Sequence, residues 1–120
     1  MKSNFIDFFS NTLFLDNYHN LEINLKKLLK KNNNIFIKNC SELNINLNNN
    51  IGRIEIHNSK NINIKCKKLY VGLIVNNSNV NLISKKFYNL ETKNSEITLN
   101  KKTYSSIKSK EINNSKVFFI

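Results

Sequence analysis

From residue 32 to Cys66 the chain reads NNNIFIKNCSELNINLNNNIGRIEIHNSKNINIKC, alternating Ile or Leu with Asn or Lys. Alternation at period two buries one face of a strand and leaves the other in water. No proline and no helix-length apolar stripe interrupts it, so the pattern predicts a succession of short strands. The first 31 residues are less regular. There "LEINLKKLLKK" places Leu21, Leu25, Leu28 and Leu29 at helical spacing with lysines opposite, while "LEINL" alternates, which predicts a strand followed by an irregular or helical turn.

The alternation hides a repeat. With Ile35, Ile54, Leu73, Leu90 and Ile107 aligned as starting points, 19, 19, 17 and 17 residues apart, the following columns agree. Two places on stand Ile37, Ile56, Val75, Thr92 and Ser109; four places on stand Asn39, Asn58, Asn77 and Asn94, each followed by Cys40, Ser59, Ser78 or Ser95. On this alignment the fifth copy breaks the asparagine column with Glu111 and Ile112. Each unit then continues with a second apolar set: Leu43, Ile45, Leu47; Ile62, Ile64, Cys66; Val80, Leu82; Ile97, Leu99; Val117, Phe119.

Units this short have no room for a crossover helix, so consecutive copies must coil directly and stack like side chains on one another. The expected fold is all-β, a right-handed parallel β-helix of about six short coils. Residues 1–34 form an N-terminal cap and first irregular coil, and residues 35–120 the β-helix proper, within a single domain. Asn suits the corners because it tolerates the left-handed conformation and its amide can bond to the Asn one coil away. "FIDFFSNTLFL" is expected to pack over the open end of the coil.

Composition narrows the partners. The formal charge of +11 over 120 residues favours an acidic partner surface: an acidic protein, nucleic acid or anionic lipid. About one residue in five is Asn, so only its position carries information. There is no apolar run of membrane-spanning length and no signal-peptide layout, which together predict a cytoplasmic protein. Two cysteines, Cys40 and Cys66, are too few for a disulfide framework and are expected to be reduced and packed in the core.

Catalytic chemistry needs converging groups, and the sequence offers none at recognisable spacing. His19 and His57 fall in different units with no Cys or carboxylate at metal-ligand spacing, Cys40 has no base placed beside it, and no glycine-rich phosphate loop exists. The expectation is a binding module, not an enzyme, with no cofactor and no metal. One constellation stands out. Lys67 and Lys68, Lys85 and Lys86, and Lys101 and Lys102 fall near the same point of three successive units and predict a basic ridge along one corner. Stacked like charges repel at the spacing of neighbouring strands, so the ridge is either plain solvation and edge protection or a steering surface for an acidic partner.

With these columns in place, residues 35–120 resemble the C-terminal β-helical domain of adenylyl cyclase-associated protein, an actin-monomer-binding family. The resemblance rests on the ordered segments "IFIKNC", "GRIEIHNSKN", "LIVNNS", "LETKNSE" and "IKSKEINNSKVFFI", the first three without a gap from Ile35 to Ser78. Cys40, Lys60 and Asn77 match the family pattern, and Ser95 and Glu96 are conservative replacements. His57 and Lys93 stand where the pattern has aspartates, and Ser59 and Ser78 where it has cysteines.

The resemblance implies binding of monomeric actin and promotion of ADP-to-ATP exchange on it, in the cytoplasm and at the cytoskeleton. It points to the turns around Lys60 and around Lys93, Ser95 and Glu96 as contacts, alongside the six ridge lysines. A related β-helix in tubulin-binding cofactor C uses an arginine in GTPase activation, but Arg53 here, next to Gly52, fits an ordinary solvated corner. The family pattern also continues past the position of Ile120 into a hairpin exchanged between protomers. The final coil, Val117, Phe118, Phe119 and Ile120, is therefore expected to be an open apolar edge closed by a symmetric homodimer. Two alternatives remain: a structural or scaffolding solenoid, and a binder of anionic partners in general. Nucleic acid is disfavoured here because Phe36, Tyr70, Phe87 and Tyr104 do not interleave with the lysines as a base-stacking platform requires.

Overall fold

The computed structural model describes residues 7–9, 12–24, 33–47 and 49–120. A short strand β1 (Asp7–Phe9) is followed by twelve more: β2 (Thr12–Asp16), β3 (His19–Asn24), β4 (Asn34–Lys38), β5 (Ser41–Asn46), β6 (Asn50–His57), β7 (Lys60–Lys65), β8 (Lys68–Asn76), β9 (Asn79–Ile83), β10 (Lys86–Lys93), β11 (Glu96–Leu99), β12 (Ser109–Asn113) and β13 (Lys116–Phe119). One five-residue helix, α1 (Lys101–Ser105), lies between β11 and β12. The strands form two sheets, ordered β1-β2-β4-β6-β8-β10-β12 and β13-β11-β9-β7-β5-β3. Every pairing is parallel except that of β1 with β2. The chain is a right-handed parallel β-helix: six two-strand rungs, or five turns from the first to the last.

Its register explains why these residues build it. Leu13, Ile35, Ile54, Leu73 and Leu90 stack in one sheet, and Leu21, Leu43, Ile62, Val80, Ile97 and Val117 in the other. With Ile37, Ile56, Val75, Ile45, Ile64 and Leu82 they fill the interior, where nearly all are under 3% exposed. Both expected columns of alternating residues are thus the two inner faces of the coil. Strands β6, β8 and β10 begin earlier than their neighbours and bend through a bulge, adding a third inner column of Ile51, Leu69 and Phe87.

The fifth repeat unit differs from the expectation. Lys110, not Ile107, stands opposite Leu90, so the asparagine column continues unbroken through Asn114 and its small neighbour Ser115. Three additional residues are absorbed by α1, whose N-cap Asn100 accepts a hydrogen bond from the Lys102 N–H at 2.8 Å. Ile107 is buried just before the rung begins. Asn17, Asn39, Asn58, Asn77, Asn94 and Asn114 all have φ between 48° and 63°, the left-handed corner that Asn tolerates. Amide ladders join some of them directly: Asn77 Nδ2 donates to Asn58 Oδ1 at 3.3 Å and Asn114 Nδ2 to Asn94 Oδ1 at 2.6 Å.

Beneath each corner runs an internal ladder. The N–H of Cys40 donates to Ser59 Oγ, that of Ser59 to Ser78 Oγ, that of Ser78 to Ser95 Oγ and that of Ser95 to Ser115 Oγ, at 2.9–3.1 Å. Each hydroxyl in turn donates to the carbonyl two residues before it, as Ser59 does to His57 O at 2.9 Å. The corner turns these N–H groups inward, away from the sheet ladders. A small hydroxyl one rung up is what keeps them from being buried orphans.

The two ends differ. At the start, β1 pairs with the free edge of β2, while the parts of "FIDFFSNTLFL" that were expected to complete the cap, residues 5–6 and 10–11, lie outside the described residues, as does the turn at 25–32. At the far end β12 and β13 carry no further strand among the described residues. Ile112, Phe118, Phe119 and Ile120 are exposed there, and Lys110 lies over the Tyr104 ring at 4.9 Å.

Candidate interaction surfaces

The residues singled out in the sequence fall on two separate corners. On the asparagine corner Lys60, Ser95 and Glu96 come together, with Asn77, Asn79, Asn94, Asn114 and Lys116, around an open groove of about 560 Å³. Lys60 and Glu96 face water. Ser95 does not: its hydroxyl donates to Lys93 O at 2.8 Å and accepts the Ser78 N–H, so it belongs to the internal ladder and only its neighbours can touch a partner. Lys93, at the end of β10, is exposed one residue before the corner.

The lysine corner lies where β7 and β9 run into β8 and β10. Lys68 and Lys86 are direct register partners, and the Lys85 N–H donates to Lys67 O at 2.9 Å, so these four side chains form two stacked pairs, all exposed. Lys101 and Lys102 do not continue the stack. They lie in α1, whose Thr103 hydroxyl docks on Ser84 O at 2.6 Å, one position out of step with Lys85. Lys102 instead joins Lys65, Lys67 and Lys85 around a groove of about 910 Å³ floored by Cys66, Ser84 and Thr103. Lys65 and Lys116 escaped notice in the sequence because neither belongs to one of the repeated lysine pairs.

Groups with possible chemistry are engaged elsewhere. His57 Nε2 lies 3.1 Å from Glu55 Oε2, its Nδ1 is 3.2 Å from Asn76 Nδ2, and its ring packs at 5.2 Å on Phe36. His19 Nδ1 contacts Ser41 Oγ and its Nε2 contacts Asn17 Oδ1. Arg53 pairs with Glu55 at 3.3 Å. Burial pushes both thiols above their ordinary range, Cys66 to about 11, the direction opposite to that of an activated nucleophile. Among the described residues no three His, Cys, Asp or Glu side chains cluster as a metal site would need. No helix among them is long and apolar enough to cross a membrane.

No known protein family matches the sequence, and no curated protein does. The coil itself has a counterpart among solved structures. Its fold is shared with cyclase-associated protein. The crystal structure of that protein from Cryptosporidium parvum aligns with a TM-score of 0.65 over 99% of this chain and 80% of its own, at 12% sequence identity. At that identity the likeness is one of fold, and it agrees with the fold implied by the ordered turn segments.

Proposed function

We propose that the protein is a non-catalytic binding module of the cyclase-associated kind, which binds monomeric actin and promotes exchange of ADP for ATP on it in the cytoplasm. The observation that carries this reading is the correspondence of the coil with a cyclase-associated protein over 99% of this chain, which stands beside the ordered turn segments of the sequence. The surface chemistry supports it. Two corners present exposed lysines, Lys60, Lys93 and Lys116 on one and Lys67, Lys68, Lys85 and Lys86 on the other, suited to an acidic protein partner. The open sixth rung adds a second element of the proposal: a homodimer through Val117, Phe118, Phe119 and Ile120, since like edges meeting about a two-fold axis close the assembly.

The test is release of a fluorescent nucleotide from ADP-actin. Faster release with added protein is expected. Release that is unaffected, with no binding at micromolar concentration, would remove the actin reading. Replacing Lys67, Lys68, Lys85 and Lys86 together by Glu should abolish the effect, whereas one replacement should weaken binding by roughly 0.5–1 kcal/mol, as for a solvated rim charge.

A further inference from the structure

On the outer face of β8 and β10, next to the lysine corner, the bulge brings basic and aromatic side chains together. Along β8 the burial runs outward at Lys68, inward at Leu69 and outward at Tyr70 and Val71; along β10 it runs outward at Lys86, inward at Phe87 and outward at Tyr88. Because Lys68 pairs with Lys86 and Leu69 with Phe87, Tyr70 and Tyr88 occupy adjacent rungs at the same point of the coil. Tyr70 is 43% exposed, Val71 50% and Tyr88 57%. Of the aromatics expected from the sequence not to interleave with lysine, Tyr70 faces out two residues from Lys68, against that expectation, and Phe87 faces the core, its neighbour Tyr88 being the one that faces out.

The surroundings are basic. The Lys108 N–H donates to Tyr88 O, which places Lys108 one rung above, and Arg53 is aligned with Gly72 one rung below. The nearest carboxylates, Glu55, Glu91 and Glu111, lie further along β6, β10 and β12; the first two are half-buried, Glu55 being held by Arg53 and His57, and Glu111 is exposed. Gly72 keeps the platform flat. A Cβ there would come within 2.3 Å of Asn89 O, so β8 and β10 approach more closely at this point than any side chain would permit. Asn50 Nδ2 donates to the Tyr70 hydroxyl at 3.1 Å, which fixes the position of that ring.

We propose that this face binds single-stranded nucleic acid, with unpaired bases stacking on Tyr70 and Tyr88 and phosphates passing between Lys68, Lys86 and Lys108. An acidic peptide would satisfy the cations and make no use of either ring. A duplex has its bases already stacked, and the flat face offers no helix or loop to enter a groove. A single strand uses both components, because every base has a π-face and every nucleotide a phosphate. The activity is independent of the actin reading, and its test contains no actin, so each can fail without the other.

The probe is a fluorescein-labelled twelve-residue oligothymidylate, titrated by anisotropy into the whole protein. Binding is expected with a log affinity against log salt slope of about −2, from about −0.7 for each of three neutralised phosphates. Tyr70→Ala and Tyr88→Ala should each weaken it by at least about fivefold, while Tyr88→Phe keeps the wild-type affinity. Lys68→Glu with Lys86→Glu should flatten the slope by about 1.4. Thermal melts of the alanine variants verify that both fold, as expected for exposed side chains. The proposal is overturned by an absence of binding in low salt, by folded alanine variants with unchanged affinity, or by a polyglutamate peptide of matched length that binds as well as the oligonucleotide.

Discussion

The hydroxyl of Ser59 accepts the buried N–H of Cys40 and donates to His57 O, so one small side chain satisfies a backbone group on each of two rungs. Ser59→Ala removes only the hydroxyl: the volume is nearly kept, and what is lost is the partner of a donor in a fully buried position. The expected destabilisation is about 1–3 kcal/mol by denaturant titration, with Ser115→Ala at the open end costing less because water can reach it. Cys66 offers a second residue-scale test. Burial raises its thiol from 9.0 to about 11, a hydrogen bond with Ser84 only partly opposing it. Below pH 9 both folded and unfolded chains keep the proton and the stabilisation is fully present; as pH rises from 9 through 11 the unfolded chain loses its proton first, so stability falls across that window. Labelling with a thiol reagent at pH 8 should therefore be slow in the native protein and fast in denaturant; rapid native labelling of Cys66 would contradict the buried site.

At the scale of elements, the alternating strands could be read directly because each inner column repeats one residue type at one spacing. The Asn corners were legible for the same reason. The fifth unit was not: an alignment anchored on apolar residues selects Ile107, whereas the motif that marks the corner, Asn followed by Ser, recurs at Asn114 and Ser115 after the insertion of α1. Periodicity has no way to announce a helix of five residues, and the lysines it carries leave the strand ladder for that reason, although Lys102 still rims a groove with Lys67 and Lys85. The bulges in β6, β8 and β10 were equally invisible, since they depend on how a neighbouring strand passes. Gly72 is the residue that most clearly records one. Gly72→Ala forces the β8 and β10 backbones apart, with an expected loss of roughly 2–4 kcal/mol, and both Tyr70 and Tyr88 would shift with them. A melting temperature equal to wild type would show that the bulge opens freely.

At the scale of the whole molecule, the coil measures 41 × 27 × 24 Å, and its cooperativity rests on contacts between successive rungs. Among the described residues the last rung has a neighbour on one side only. Phe119 packs edge-on against Tyr104 at 5.2 Å yet remains 47% exposed, as does Phe118. Light scattering should give a dimer for the wild type at tens of micromolar and a monomer for Phe119→Glu. A monomeric wild type, or a variant that stays dimeric, would mean that this edge is not the dimer contact.

The serine ladder makes the chain a ruler with identical graduations. Because every graduation presents the same donor below and the same acceptor above, a whole 19-residue period can be cut out without leaving an unmatched end. Excising residues 36–54 would join Ile35 to Glu55, set Ser59 above Tyr18 in the place of Cys40, and return every column to register. The product should fold cooperatively, shorter by one strand spacing of ~4.8 Å, with both ends intact, while Tyr70 loses the Asn50 hydrogen bond that goes with the excised rung. A cut one residue longer or shorter, with no corner or bulge to absorb the difference, would set inner side chains against outer ones and should not fold. Length, in such a chain, is a quantity that can change only in whole steps.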